Sequence, residues 1–109
     1  MIYLASPYSH PDPAQRAARF ATVCRVAGDL MKRGKRVFSP IAHSHSIEQY
    51  FSDGKMEGHD FWLDQDFAVL RHCSELQVLR LEGWEASKGV AAEVDLAVRL
   101  SIPVYYIDP

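Results

Sequence analysis

Four short apolar runs, separated by segments of helical periodicity, constrain this chain more than any other feature in it. The first, Ile2–Ala5, is ended abruptly by Ser6-Pro7-Tyr8-Ser9-His10-Pro11, as a buried parallel strand running into a loop would be. Asp12 and Pro13 then supply a helix N-cap and an N1 proline. Phe20, Val23, Cys24, Ala27, Leu30 and Met31 follow on one helical face, and Gly34 ends that helix. Residues 36–39 read as a second strand, stopped by Pro40. The connection over 41–58 is rich in histidine, serine and glycine, with one helical turn around 47–51 and a turn at Ser52-Asp53-Gly54. A long helix is predicted from about residue 59 to 72, a strand over 75–81, a helix from Ser87 to Leu100, and a last strand over 102–107.

The order βαβ–α–βαβ predicts a single α/β domain over residues 1–109. Its expected form is a Rossmann-like (flavodoxin-like) three-layer sandwich with a parallel sheet of four to five strands, because parallel neighbours need right-handed crossovers. In such sheets ligands bind beyond the carboxyl ends of the strands, which points to the loops over 6–10, 40–46 and 82–87. A formal net charge of −2 leaves no basic footprint for a nucleic acid polymer. The cluster of Lys32, Arg33, Lys35 and Arg36 straddles a helix end, where cations complement the macrodipole. No apolar run reaches the length of a membrane span, and the N-terminus lacks the basic start of a secretory signal. Cys24 and Cys73 fall at apolar helical positions and read as reduced core thiols, so a cytoplasmic protein is expected.

Two acids break the apolar pattern. In the helix after Ser87, one side gathers Val90, Val94, Leu96, Ala97 and Leu100, the other Lys88, Asp95 and Arg99. Glu93 falls within the apolar stripe, where an ionised carboxylate is desolvated unless something pairs with it. The helix near His59 repeats the arrangement: Trp62, Leu63, Phe67, Val69, Leu70 and Cys73 define a buried side that includes Asp66, while Asp64 points away. One such acid is commonly a satisfied core residue. Two, each in a helix flanking the sheet, predict a site. Paired carboxylates in a desolvated pocket suit glycosidic chemistry, one acting at the anomeric carbon and the other on a proton. Burial and mutual repulsion push their pKa values apart.

Other candidates follow from position. Ser6 and Ser9 sit in the first loop, and Ser6 is the better ligand contact. Gly89 permits close backbone approach. His43 and His45 suggest a substrate contact more than a metal pair, since no cysteine or carboxylate stands at ligand spacing; neither metal nor cofactor is expected. Trp84, in a loop beside the expected pocket, is the better base-stacking candidate, and Trp62 reads as core. His10 lies where it can approach a phosphate, whereas Arg16 and Arg19 read as a solvated face and are left outside the site.

The motif Ser87-x-Gly89-Val90-x-x-Glu93-x-x-x-Ala97, with Asp66-Phe67, the strand end Val78-Leu79 and the opening Tyr3-Leu4-Ala5-Ser6-Pro7-Tyr8, resembles the nucleoside 2-deoxyribosyltransferase superfamily. Over nearly its full length the chain resembles that superfamily's DUF1937 group. The resemblance implies Glu93 as a nucleophile that forms a covalent intermediate at C1 of the sugar, with Asp66 contacting the sugar or shuttling protons. It implies that Tyr8 orients the nucleophile by hydrogen bonding. Ser87 stands where transferases usually carry an aspartate; nucleotide N-hydrolases of the superfamily have a serine there that binds the 5′-phosphate. A serine at a helix N-terminus suits an anion, as an aspartate does not. The expected activity is therefore hydrolysis of a nucleoside 5′-monophosphate. Deoxyribosyl transfer, or nucleotide binding without turnover, is the alternative. The resemblance also implies a homodimer or higher homo-oligomer, with another subunit completing the pocket.

Overall fold

The computed structural model describes residues 1–109 and contains four strands and four α-helices. They run β1 (Ile2–Ala5), α1 (Pro13–Lys32), β2 (Val37–Phe38), α2 (Pro40–Glu48), α3 (His59–Leu70), β3 (Glu75–Leu79), α4 (Lys88–Arg99) and β4 (Val104–Ile107), with a 3₁₀ turn at Trp84–Ala86 before α4. The sheet is wholly parallel in the order β2-β1-β3-β4. Ile2 stands opposite Val37 on one side and Glu75 on the other. From β1 the chain crosses first to β2 and later to β3 on the opposite flank, so the strand order reverses between β1 and β3. That reversal opens a crevice at their carboxyl ends.

Helices cover both faces, which gives the expected three-layer sandwich. Leu4 and Leu79 pack with Val23, Ala27 and Leu30 of α1, with Ile41 of α2 beside them. On the opposite face Tyr3, Ala5, Leu76 and Val78 pack with Leu70 of α3 and with Val90, Leu96 and Ala97 of α4. The buried arc of α1 is centred on Val23, Ala27 and Leu30, so three residues predicted for it lie on its flank: Phe20 and Cys24 are half-buried and Met31 is exposed. Leu100, also predicted buried, is the C-cap of α4 and is exposed.

The largest departure from the predicted elements is α2. Pro40 does end β2, but it also opens a nine-residue helix where a loop with one later turn was expected. Ser39 caps this helix by accepting a hydrogen bond from the Ala42 N–H at 3.1 Å, and Pro40 sits at N1, where its missing N–H costs nothing. No helix of the chain is long and apolar enough to cross a membrane.

Candidate active site

The crevice at the ends of β1 and β3 is a cavity of about 770 Å³. Its walls come from the loop after β1, the first turns of α1, α2, α3 and the start of α4. Six of the residues expected in a site line it: Glu93, Asp66, Tyr8, Ser87, Ser6 and Gly89.

Glu93 sits in the second turn of α4 with 4% of its surface exposed, and Asp66 in α3 with 9%. Neither forms an ion pair; the two in the protein, Arg80–Asp108 and Arg99–Asp95, are elsewhere. Their charges are thus held away from water without a counter-ion. Burial pushes Glu93 up to about 8; the charge of Asp66 adds to that rise and the Tyr3 hydrogen bond opposes it. Burial likewise pushes Asp66 up to about 7. Carboxyls perturbed by desolvation in a cleft are candidates for a functional site.

The partner of Glu93 corrects the sequence reading. The Tyr3 hydroxyl, not that of Tyr8, donates to Glu93 Oε2. Tyr3 lies inside β1, is fully buried, and its side chain emerges on the α3–α4 face. Tyr8 stands beyond the strand end, and its hydroxyl shares a hydrogen bond with His45 Nδ1 at 2.5 Å. A hydrogen bond to an ionised group contributes about 1.5–3 kcal/mol, so Tyr3→Phe is expected to raise the Glu93 carboxyl by a further one to two pH units, roughly. A ¹³C NMR titration of that carboxyl checks this, and an unchanged midpoint would show that the bond does not stabilise the carboxylate.

Ser87 is the N-cap of α4; its Oγ accepts from the Val90 N–H at 3.2 Å and its own hydroxyl proton remains free. Gly89 is not demanded by protein packing, because an added Cβ would meet only Ser87 Oγ at 3.8 Å. Ser6 is 5% exposed, and its Oγ, on the cavity wall, has no hydrogen-bond partner. A buried hydroxyl left unmade costs about 1–3 kcal/mol, so the cavity wall carries an unmet demand that a polar ligand satisfies.

Four expectations are not met. Trp84 lies outside the cavity, half-buried against the α3–α4 core with its ring 5.5 Å from that of Tyr106. Trp62, expected in the core, instead takes the place proposed for Trp84, lining the cavity with Leu63 while stacked at 5.8 Å on Phe51. His43 is exposed on the outer side of α2, its ring 5.6 Å from Phe38, and does not reach the cavity. His45 is set behind Tyr8 and meets the cavity only through it.

Two arginines left outside the predicted site belong to its wall. Arg19 donates from Nη1 to the Ser9 carbonyl at 2.9 Å and from Nη2 to the Glu82 carbonyl at 3.0 Å, strapping the loop after β1 to the loop after β3. Gly83 makes room for this strap: its φ is +89°, in the left-handed region, and a Cβ there would lie 3.0 Å from Arg19 Nη2. Arg16 donates from Nη1 to the His10 carbonyl. The contact to Glu82 joins residues 63 apart in sequence, and nothing in the local pattern announces it. No group of three or more His, Cys, Asp or Glu side chains is placed to hold a metal ion.

The family model described as "Domain of unknown function (DUF1937)" matches residues 1–108. Among solved structures the chain is similar to a 2-deoxyribosyltransferase from the psychrotolerant bacterium Bacillus psychrosaccharolyticus. The two share 23% identity and a TM-score of 0.63, over 99% of this chain and 72% of that one. At this identity the likeness establishes the shared fold. No curated protein matches the chain.

Proposed function

The chain belongs to the DUF1937 family, and for it we propose cleavage of the N-glycosidic bond of a nucleoside 5′-monophosphate with water as the acceptor. The observation that carries this reading is Glu93: a carboxyl with 4% exposure, hydrogen-bonded by Tyr3 and set in one cavity with a second buried carboxyl, Asp66. Mere binding gains nothing from a desolvated, unpaired acid, whereas a nucleophile freed of its water shell does.

In the proposed reaction the Glu93 carboxylate attacks C1′ as the bond from C1′ to the base nitrogen breaks. The bonding electrons leave with the base, which takes the Asp66 proton. The resulting glycosyl ester is then opened by water attacking C1′; Asp66, now ionised, accepts the water proton, and Glu93 is released as carboxylate. Tyr3 orients Glu93 and favours its ionised form. The 5′-phosphate is assigned to the start of α4, where the free Ser87 hydroxyl proton and the helix N-terminus favour an anion.

Deoxyribosyl transfer to a second base is a close second reading, supported by the fold shared with a 2-deoxyribosyltransferase. One assay separates the two. Ribo- and deoxyribonucleoside 5′-monophosphates are incubated with the protein, with and without an acceptor base, and free base is followed by HPLC. Release in water alone is the expected result. Exchange only in the presence of the acceptor favours the transferase, and no reaction in either case overturns both readings.

A further inference from the structure

We propose that the cavity wall built from the loop after β1, α1 and α2 reads the leaving base and selects bases that carry an exocyclic amine. This rests on the N-glycosidic reading above, which assigns the sugar to Glu93 and the 5′-phosphate to the start of α4. Both of those lie on one side of the crevice. The side bounded by α1 and α2 is left for the base.

That wall is a built polar surface. The Tyr8 hydroxyl is pinned 2.5 Å from His45 Nδ1. His45 is fixed in turn by stacking on Phe20, with ring centroids 4.1 Å apart and planes 20° from parallel. Glu48 and Arg16, from α2 and α1, both act on this hydroxyl with opposite charges: burial and Glu48 raise the Tyr8 phenol, and the Arg16 guanidinium opposes them. Both side chains line the cavity and both are half-buried. They are not paired with each other or with any other ion. Arg16 spends Nη1 on the carbonyls of His10 and Pro11, and its guanidinium also acts as a hydrogen-bond partner of the Tyr8 hydroxyl. Glu48 makes no side-chain hydrogen bond at all.

A half-buried carboxylate and a half-buried guanidinium on the cavity wall beside an anchored hydroxyl call for a ligand edge that offers N–H to the first and an acceptor to the second. A carboxylate can only accept. Guanine presents a ring N–H beside an exocyclic amine, with a carbonyl next along the edge, and cytosine and adenine present an amine beside a ring nitrogen acceptor. Uracil and thymine carry their one imide N–H between two carbonyl oxygens, whose lone pairs would face Glu48. Hypoxanthine differs from guanine only in lacking the amine.

The test uses matched pairs and needs no turnover. Binding to the Glu93→Gln protein is measured by calorimetry for deoxyguanosine against deoxyinosine monophosphate, and for deoxycytidine against deoxyuridine monophosphate. The amine-bearing member of each pair is expected to bind at least about tenfold tighter, the worth of one charge-assisted hydrogen bond. Adding Glu48→Gln, whose amide donates as well as accepts, is expected to collapse or reverse the preference, and Glu48→Ala to abolish it. The same preference in the phosphate-free nucleosides is expected, because the wall does not read the phosphate. Affinities within threefold in both pairs overturn the proposal, as does a preference that survives both Glu48 variants or appears only with the phosphate present. Base release without amine preference leaves the N-glycosidic reading standing and removes this one. Amine preference without base release does the reverse, and absence of any binding removes both.

Discussion

Glu93→Gln is expected to abolish base release, lowering kcat by roughly 10³-fold or more, while nucleotide affinity stays within a few-fold. The amide is isosteric with the carboxyl, and its oxygen can still accept from the Tyr3 hydroxyl, so the wall around it keeps its shape. What is lost is the electron pair that bonds to C1′. A protein that only binds nucleotides would show the opposite pattern, an affinity change with no activity to lose. Single-turnover base release beside calorimetric binding separates the two, and residual turnover within tenfold of the parent would remove Glu93 from the nucleophile's role. On the proposed mechanism the competent form of the Asp66–Glu93 pair holds one proton, on Asp66, with Glu93 ionised; because Glu93 is raised further than Asp66, this is the minor of the two singly protonated forms. With the two carboxyls pushed up to about 7 and about 8, kcat/KM is expected to rise and then fall around that interval.

The same substitution is expected to make the protein more stable in alkaline solution. Glu93 has its carboxyl raised from 4.5 to about 8, and Asp66 from 3.8 to about 7, so the folded chain holds two protons that the unfolded chain has released. Stability therefore falls as pH rises from about 5 through the folded-state values, because the unfolded state binds fewer protons there. At 1.36 kcal/mol per pH unit, Glu93 alone withdraws roughly 3–5 kcal/mol by pH 9, on the order of 10–20 °C in melting temperature for a chain of this size. Glutamine has no charge to bury. Thermal unfolding followed by circular dichroism from pH 5 to 9 should show curves that nearly coincide at the acid end and diverge upward for the variant. Parallel curves would mean that the buried carboxyl does not resist ionisation.

The two acids were legible in the sequence because a helix has a fixed period: Glu93 and Asp66 each fall in an apolar stripe that only a packed face requires. The parallel sheet was legible from the alternation of strands and helices. Tyr3 was not. A strand buried on both faces is apolar at every position, so the period-2 signal that assigns a side chain to one face is absent. The extent of α2 was hidden for a related reason. Its sequence PIAHSHSIE carries no apolar stripe, and the Ser39-Pro40 signal that opens it reads equally as the end of a strand. Trp62 and Trp84 exchanged roles because the loop position of Trp84 says nothing of the direction its ring takes, which Tyr106 and the core decide. Arg16, Arg19 and Glu48 are polar residues on helices, indistinguishable in sequence from solvated ones until the loops they face are in place.

The Tyr3–Glu93 hydrogen bond spans 90 residues, and the Arg19 strap to Glu82 spans 63. Contacts of such separation form only after the entropy of closing nearly the whole chain has been met, and a parallel sheet with its first strand in the interior adds to that cost. During synthesis β1 leaves the ribosome well before α4, so its tyrosine waits for α4 before the phenol meets its acceptor. A nascent chain that has not yet produced α4 thus has no Glu93 and no closed wall around it. On the proposed reading, the nucleophilic carboxyl comes into being together with the fold and is lost with it, so that partly assembled forms of the chain would be inactive.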